Sequence, residues 1–130
     1  MTVSDMIRSH PVSSVRQGIA DCISACFDCA EVCSICADAC LAEPRVANLV
    51  ECIATNQNCA TICLATGMVL TRQSALEPAV TRKQVLACLE ACQACAMECE
   101  RHGGRMEHCA ICAATCRRCE ACCRNLLDQI

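Results

Sequence analysis

Six cysteines, Cys22, Cys26, Cys29, Cys33, Cys36 and Cys40, follow one another at steps of four, three, four, three and four. That is the spacing at which apolar residues normally line one face of a helix. Three further segments carry versions of the pattern: Cys52, Cys59 and Cys63; Cys88, Cys92, Cys95 and Cys99; and Cys109, Cys112, Cys116, Cys119, Cys122 and Cys123. All 19 cysteines of the 130-residue chain fall in these runs. Thiols stand where a hydrophobic core is expected. Thiolates select soft ions: Cu(I), zinc or the iron of iron–sulfur clusters.

Residues three and four apart on a helix have Cβ atoms about 5–6 Å apart on one face. With metal–sulfur bonds of roughly 2.3 Å, two such sulfurs can bracket one ion without moving the backbone. That suits two-coordinate Cu(I), and a third thiolate from a facing helix could complete a trigonal site. The rise from Cys22 to Cys40 is about 27 Å, a column long enough for many ions. Charge separates the candidates. Each Cu(I) replaces one thiol proton and leaves the core close to neutral. A zinc ion held by four thiolates carries two negative charges, and stacking such sites in a dry bundle costs heavily in desolvation. A single buried cysteine is usually an inert small hydrophobe. In-register stripes on every helix are not explained that way, because leucine would pack better and carry no oxidation risk.

Four helices must position these side chains, over about residues 14–41, 45–71, 75–102 and 105–127. Ser14 and Gln17 fit a capping box for the first, and Pro44 suits the first turn of the second. The third has two candidate starts, Ser74-x-x-Glu77 and Thr81-x-x-Gln84, and Gly103-Gly104 marks its end. Short connections between helices of similar length predict an all-α, antiparallel up-down-up-down four-helix bundle with a cysteine-lined core and a short N-terminal extension. The chain is read as one domain, residues 1–130.

Antiparallel packing gives the bundle unlike ends. Extending the cysteine lattice one way reaches Val15, Ile19, Leu70, Val85 and Leu126, an apolar plug. Extending it the other way reaches His102, with Arg105, Met106 and His108 nearby. That end is the expected mouth, and His102 and His108 join the cysteines as candidate metal ligands. Asn56 holds the lattice position missing from the second helix and reads as a polar member of the lumen. Ile23, Phe27, Ala30 and Leu41, with Ile53, Ala60 and Leu64, form stripes expected to seal helix seams or serve an oligomer face. Arg117, Arg118, Glu120 and Arg124 read as solvated surface, and His10 as a residue with no part in the site.

Composition narrows the function classes. A net charge of −3 and a single aromatic residue, Phe27, leave no basic patch or stacking platform for nucleic acid. No apolar run is long enough for a membrane span, and Met1 to Pro11 carry no secretory h-region. The expected compartment is the reducing cytoplasm, where dense cysteine indicates metal or redox chemistry rather than disulfides.

On the segments CISACFDCAEVCSICADAC, NCATIC, CLEACQACAMEC and HCAICAATCRRCEACC, the chain resembles the cytosolic branch of the copper storage protein family, over roughly Val12 to Leu127. The resemblance implies a homotetramer of four-helix bundles, each storing many Cu(I) ions without catalysis. Copper ions, and copper chaperones or chelators that hand them over, are the partners this reading expects. An iron–sulfur electron carrier is the first alternative, but ferredoxin-type cysteine runs wrap a cluster from loops and end in a proline. A zinc or thiol buffer like metallothionein is the second, but it would not encode helical periodicity independently of the metal. A thiol oxidoreductase needs one reactive C-x-x-C and leaves the other cysteines without a role.

Overall fold

Each of the four cysteine runs lies on its own long helix. The computed structural model describes residues 2–12, 17–74 and 77–130, with the backbone alone of Gln17. Its helices are α1 (Val3–Arg8), α2 (Gln17–Leu41), α3 (Val50–Thr71), α4 (Pro78–Glu100) and α5 (Glu107–Leu127), with a 3-10 turn over Val46–Leu49. The bundle is built by α2 to α5. Helix α2 packs against α3 and α5, and α4 packs against the same two, so the four enclose a central lumen. Side chains three and four apart on each helix share a face, which turns every cysteine run inward. No strand occurs among the described residues, and none of the helices is long and apolar enough to cross a membrane.

The ends of the helices depart from the sequence expectation in informative ways. Pro44 sits in the turn before the 3-10 segment and does not start α3; Pro78 opens α4 instead, where its missing N–H is no loss. Neither capping box expected for α4 forms. Its N-cap is Glu77, without a side-chain bond, and Gln84 instead donates from Nε2 to Thr66 Oγ1 at 2.9 Å, tying α4 to α3. Helix α4 ends at Glu100, and no glycine among the described residues has a positive φ, so Gly103-Gly104 follow the stop without supplying a left-handed cap. Ser14 and the Gln17 side chain lie outside the described residues.

The N-terminal extension contains an element that the cysteine pattern could not announce. In α1 the Asp5 N–H donates to Thr2 Oγ1 at 3.3 Å while the Thr2 N–H donates to Asp5 Oδ2 at 3.1 Å, a reciprocal cap. Ile7 is buried and seats α1 against α2.

With sulfur in the lumen, adhesion between helices moves to the seams. Ile23 is fully buried, and the Phe27 ring of α2 lies against Gly67 of α3. A Cβ at Gly67 would stand 2.8 Å from Phe27 Cε1, so this glycine is the clearance that lets an aromatic ring into the seam. Polar links reinforce the others. Arg118 of α5 pairs with Asp28 of α2 at 2.8 Å, and Arg117 of α5 forks onto Glu100 of α4 at 2.8 and 2.9 Å. Glu120 is buried, not solvated, and accepts from Arg117 and Arg124 on its own helix. Arg117, Glu120 and Arg124, which read as plain surface, therefore join Glu100 in an ion-pair chain across the α4–α5 seam, a geometry that helical spacing alone does not reveal.

Candidate metal centre

Eighteen of the 19 cysteines are buried and all are free thiols. From the closed end upward, Cys22 Sγ lies 3.8 Å from Cys123 Sγ. Cys26, Cys88, Cys119 and Cys123 then form a group whose sulfurs lie within 4.8 Å of one another. Cys29, Cys59, Cys63 and Cys92 form the next group, and Cys29, Cys33, Cys59 and Cys116 overlap it. Cys33, Cys95, Cys112 and Cys116 follow. Because neighbouring groups share members, the sulfurs make one continuous column rather than separate sites.

Spacing within the column is narrow. Pairs four apart on one helix, Cys29–Cys33, Cys59–Cys63 and Cys112–Cys116, stand 3.7, 3.8 and 4.0 Å apart. Pairs across helices are just as close: Cys29–Cys116 at 3.7 Å, Cys33–Cys116 at 3.6 Å and Cys63–Cys92 at 3.5 Å. With metal–sulfur bonds of roughly 2.3 Å, sulfurs sharing an ion at 120° sit about 4.0 Å apart, and at 180° about 4.6 Å. The column is therefore pre-spaced for trigonal and bridging thiolates. The groups as a whole extend to 4.8 Å, so a linear two-coordinate ion also finds sulfurs at its spacing.

Asn56 is fully buried at the upper part of the column. Its Nδ2 donates to the Cys52 carbonyl at 2.9 Å and to the Cys52 and Cys99 sulfurs at 3.3 and 3.5 Å. Its Oδ1 accepts from Cys112 at 2.9 Å and from Cys95 at 3.2 Å. The amide thus joins thiols of three helices and meets the requirement that a buried polar group be bonded. It is the polar lumen residue that the lattice predicted.

The two ends differ as expected. At the closed end Ile19, Leu70, Val85 and Leu126 are buried and apolar; Val15 lies outside the described residues. At the polar end Cys36, Cys40, Cys109 and His108 form a four-donor group. His108 Nδ1 stands 3.4 Å from Cys36 Sγ and 3.7 Å from Cys109 Sγ. Its Nε2 faces Glu43 Oε1 at 3.4 Å, and His102 Nε2 faces Glu98 Oε1 at 3.6 Å. Both Nε2 atoms are buried without a hydrogen bond. A carboxylate behind one ring nitrogen favours the tautomer whose other nitrogen can bind an ion. Cys52 pairs with Cys99 at 4.0 Å beside this group. Met106 is half-buried and Arg105 exposed.

Glu43 and Glu98 are residues that the sequence reading missed. Glu98 is legible in hindsight, four residues before His102 on one helix face. Glu43 is not, because a turn brings it to a histidine on a distant helix. Cys122 stands apart from the column, half-buried on α5 beside Arg118. His10 Nδ1 accepts from the Val12 N–H at 3.0 Å and has no part in the site.

Burial sets the protonation of the thiols near the mouth. Desolvation, then the neighbouring Cys52, pushes Cys40 up to about 11, and desolvation with Cys40 pushes Cys109 up to about 12. Burial likewise raises Cys122. Deeper, the thiols bond to one another: Cys33 is held protonated chiefly by its bond to Cys112, while Cys59 is pulled down chiefly by its bond to Cys116.

The fold and the donor set define a helical-bundle metal container: preformed walls, soft ligands throughout, one closed end and one polar end. A family model described as copper storage protein matches residues 15–128. The chain belongs to the copper storage protein family. It is similar to a solved structure of the copper storage protein Ccsp from Streptomyces lividans loaded with 10 copper equivalents, at 45% identity and a TM-score of 0.96, over 99% of this chain and 100% of that one. A second Streptomyces lividans structure, of copper loading to a cytosolic copper storage protein with five coppers, matches at 48% identity and a TM-score of 0.85, over 86% of this chain and 93% of that one. No curated protein matches.

Metal-free protein carries a pH signature of these thiols. Cys40 and Cys109 have folded values raised above the ordinary 9.0, so their contribution to stability is complete below pH 9. It is lost as pH rises through about 11 to 12. Urea denaturation of reduced, anaerobic apo protein is expected to give a midpoint at pH 10.5 well below that at pH 8. An unchanged midpoint contradicts the burial of these thiols.

Proposed function

We propose that this chain stores and sequesters many Cu(I) ions in the cytoplasm, as one bundle domain that does no catalysis. The observation that carries the reading is the continuous sulfur column with neighbours 3.5 to 4.0 Å apart. The loaded Streptomyces lividans relatives support it: one holds 10 copper equivalents and is called a copper storage protein, and another is called cytosolic.

The proposed ligands are the eighteen buried cysteines, with His102 and His108 at the mouth and Cys122 as an outlying thiol. Cu(I) arrives at the His102/His108 end, displaces a thiol proton and moves inward by exchange between neighbouring sulfurs. Each exchange step spans about one sulfur–sulfur distance, so no ion need leave soft coordination. Because one proton leaves for each ion bound to one thiol, the filled lumen stays near neutrality, and the desolvation penalty on buried charge is avoided. Asn56 holds the empty thiols of three helices in register and sits where an inward-moving ion passes. Overlapping groups favour this reading over an iron–sulfur carrier, which needs one isolated cluster site rather than a column.

Anaerobic titration of Cu(I) into reduced protein against a chromogenic Cu(I) chelator tests the storage reading. Saturation is expected on the order of ten or more ions per chain, with proton release on loading and weaker binding as pH falls. Saturation at one or two ions would contradict storage.

We further propose that copies associate as a homotetramer through the outer α2–α3 groove. Ile35 and Leu64 are exposed there at 66% and 52%, with Ala30 and Ala60 between them. Leu41 is also exposed, so part of the stripe expected to seal helix seams is left for this face. Sedimentation of the full chain is expected to give four protomers, and Ile35→Glu to lower the mass. A monomeric wild type removes this assignment.

A further inference from the structure

Beside the mouth lies a cavity of about 330 Å³ that the sulfur column does not use, between the α2–α3 connection and the α4–α5 turn. Glu43, Arg45, Leu49, His102, Arg105 and Met106 are among its lining residues. Its volume matches the lower range of small-molecule sites, and a protein partner would need a far larger face. Leu49 is 3% exposed and supplies an apolar wall.

Of the three described arginines whose guanidiniums are unpaired, Arg45, Arg72 and Arg105, two meet at this cavity. Arg8, Arg101, Arg117, Arg118 and Arg124 are all ion-paired with carboxylates, and Arg82 donates to the Leu127 carbonyl. The guanidiniums of Arg45 and Arg105 have neither an ion pair nor a hydrogen bond, although both line one small cavity. Two unpaired forks in one cavity suit a ligand bearing carboxylate, which guanidinium binds with two parallel bonds. Glu43 is the one acidic residue on the lining, so the cationic side chains outnumber it. On the same wall, His102 has a buried Nε2 without a hydrogen bond.

We propose that this cavity docks a low-molecular-weight thiol that carries both Cu(I) and carboxylate, and that Cu(I) passes from it into the column. The proposal rests on the storage reading and adds the form in which copper is delivered. A soft ion among soluble thiols travels as a thiolate complex, so the incoming species is anionic at sulfur and at carboxylate. Arg45 and Arg105 hold the carboxylates while the copper-bearing sulfur faces His102. The transfer is a ligand exchange: the bond from Cu(I) to the carrier sulfur breaks, a bond to a mouth cysteine sulfur forms, and the cysteine proton passes to the departing carrier thiolate. Copper stays Cu(I) throughout and no electron is moved.

The test compares two donors in anaerobic stopped-flow loading, a Cu(I)–glutathione complex and a Cu(I)–dithiothreitol complex, which carries no carboxylate. The variants are Arg45→Ala with Arg105→Ala, and the pair Arg45→Lys with Arg105→Lys. The alanine pair is expected to slow transfer from glutathione about tenfold, the low end of electrostatic steering, and to leave dithiothreitol transfer unchanged. The lysine pair keeps charge but loses the fork and is expected to fall between. Equal slowing with both donors, or no slowing with either, overturns the docking proposal. Wild-type capacity is read with dithiothreitol alone. A capacity of one or two ions there fails the storage reading itself, which separates the two failures.

Discussion

A lumen walled by thiols is the constraint on which the rest of the structure depends. Sulfur side chains are small, so the interior offers less apolar bulk than a leucine core of the same length. Helix adhesion must come from elsewhere, and the seams supply it: Ile23 without exposure, Phe27 laid over Gly67, and the Glu100–Arg117–Glu120–Arg124 ion-pair chain. The walls stand because the seams hold them. The spacing of the cysteines, which form groups that could hold an ion, is set by helix geometry.

The same constraint explains why the ends are unlike. A column of free thiols open at both ends would meet water and oxidants twice. Ile19, Leu70, Val85 and Leu126 close one end with aliphatic side chains. The other end carries the polar groups, and they are ordered there: His108 points Nδ1 at Cys36 and Nε2 at Glu43, while His102 backs onto Glu98. Mouth thiols held protonated by burial can release their protons as copper binds. Between mouth and column Asn56 bonds to four cysteines at once and ties their thiols together.

The four bundle helices, their order, their inward faces, the apolar plug and the polar end were legible in the cysteine register, because a period near 3.5 leaves one face for each helix. The start of α4 was less so, since Glu77 and Pro78 begin it without a side-chain cap. Helix α1 carries no cysteine, and only its Thr2–Asp5 reciprocal cap could have announced it. Glu43, the cavity at Arg45 and Arg105, and the burial of Glu120 depend on which turns and helices meet in space. Spacing along one chain segment does not encode those meetings. Sulfurs within 4.8 Å of one another leave room for both the linear and the trigonal coordination that the spacing suggested.

The central claim is that one chain holds a row of copper ions along its own axis. Diffraction from crystals of copper-loaded protein, with anomalous maps at the copper edge, tests it most directly. The account predicts copper peaks distributed through the lumen, from the Cys22–Cys123 pair to the group at Cys36, Cys40, His108 and Cys109. Peaks confined to the mouth or to the outer surface, with an empty sulfur column, would contradict it.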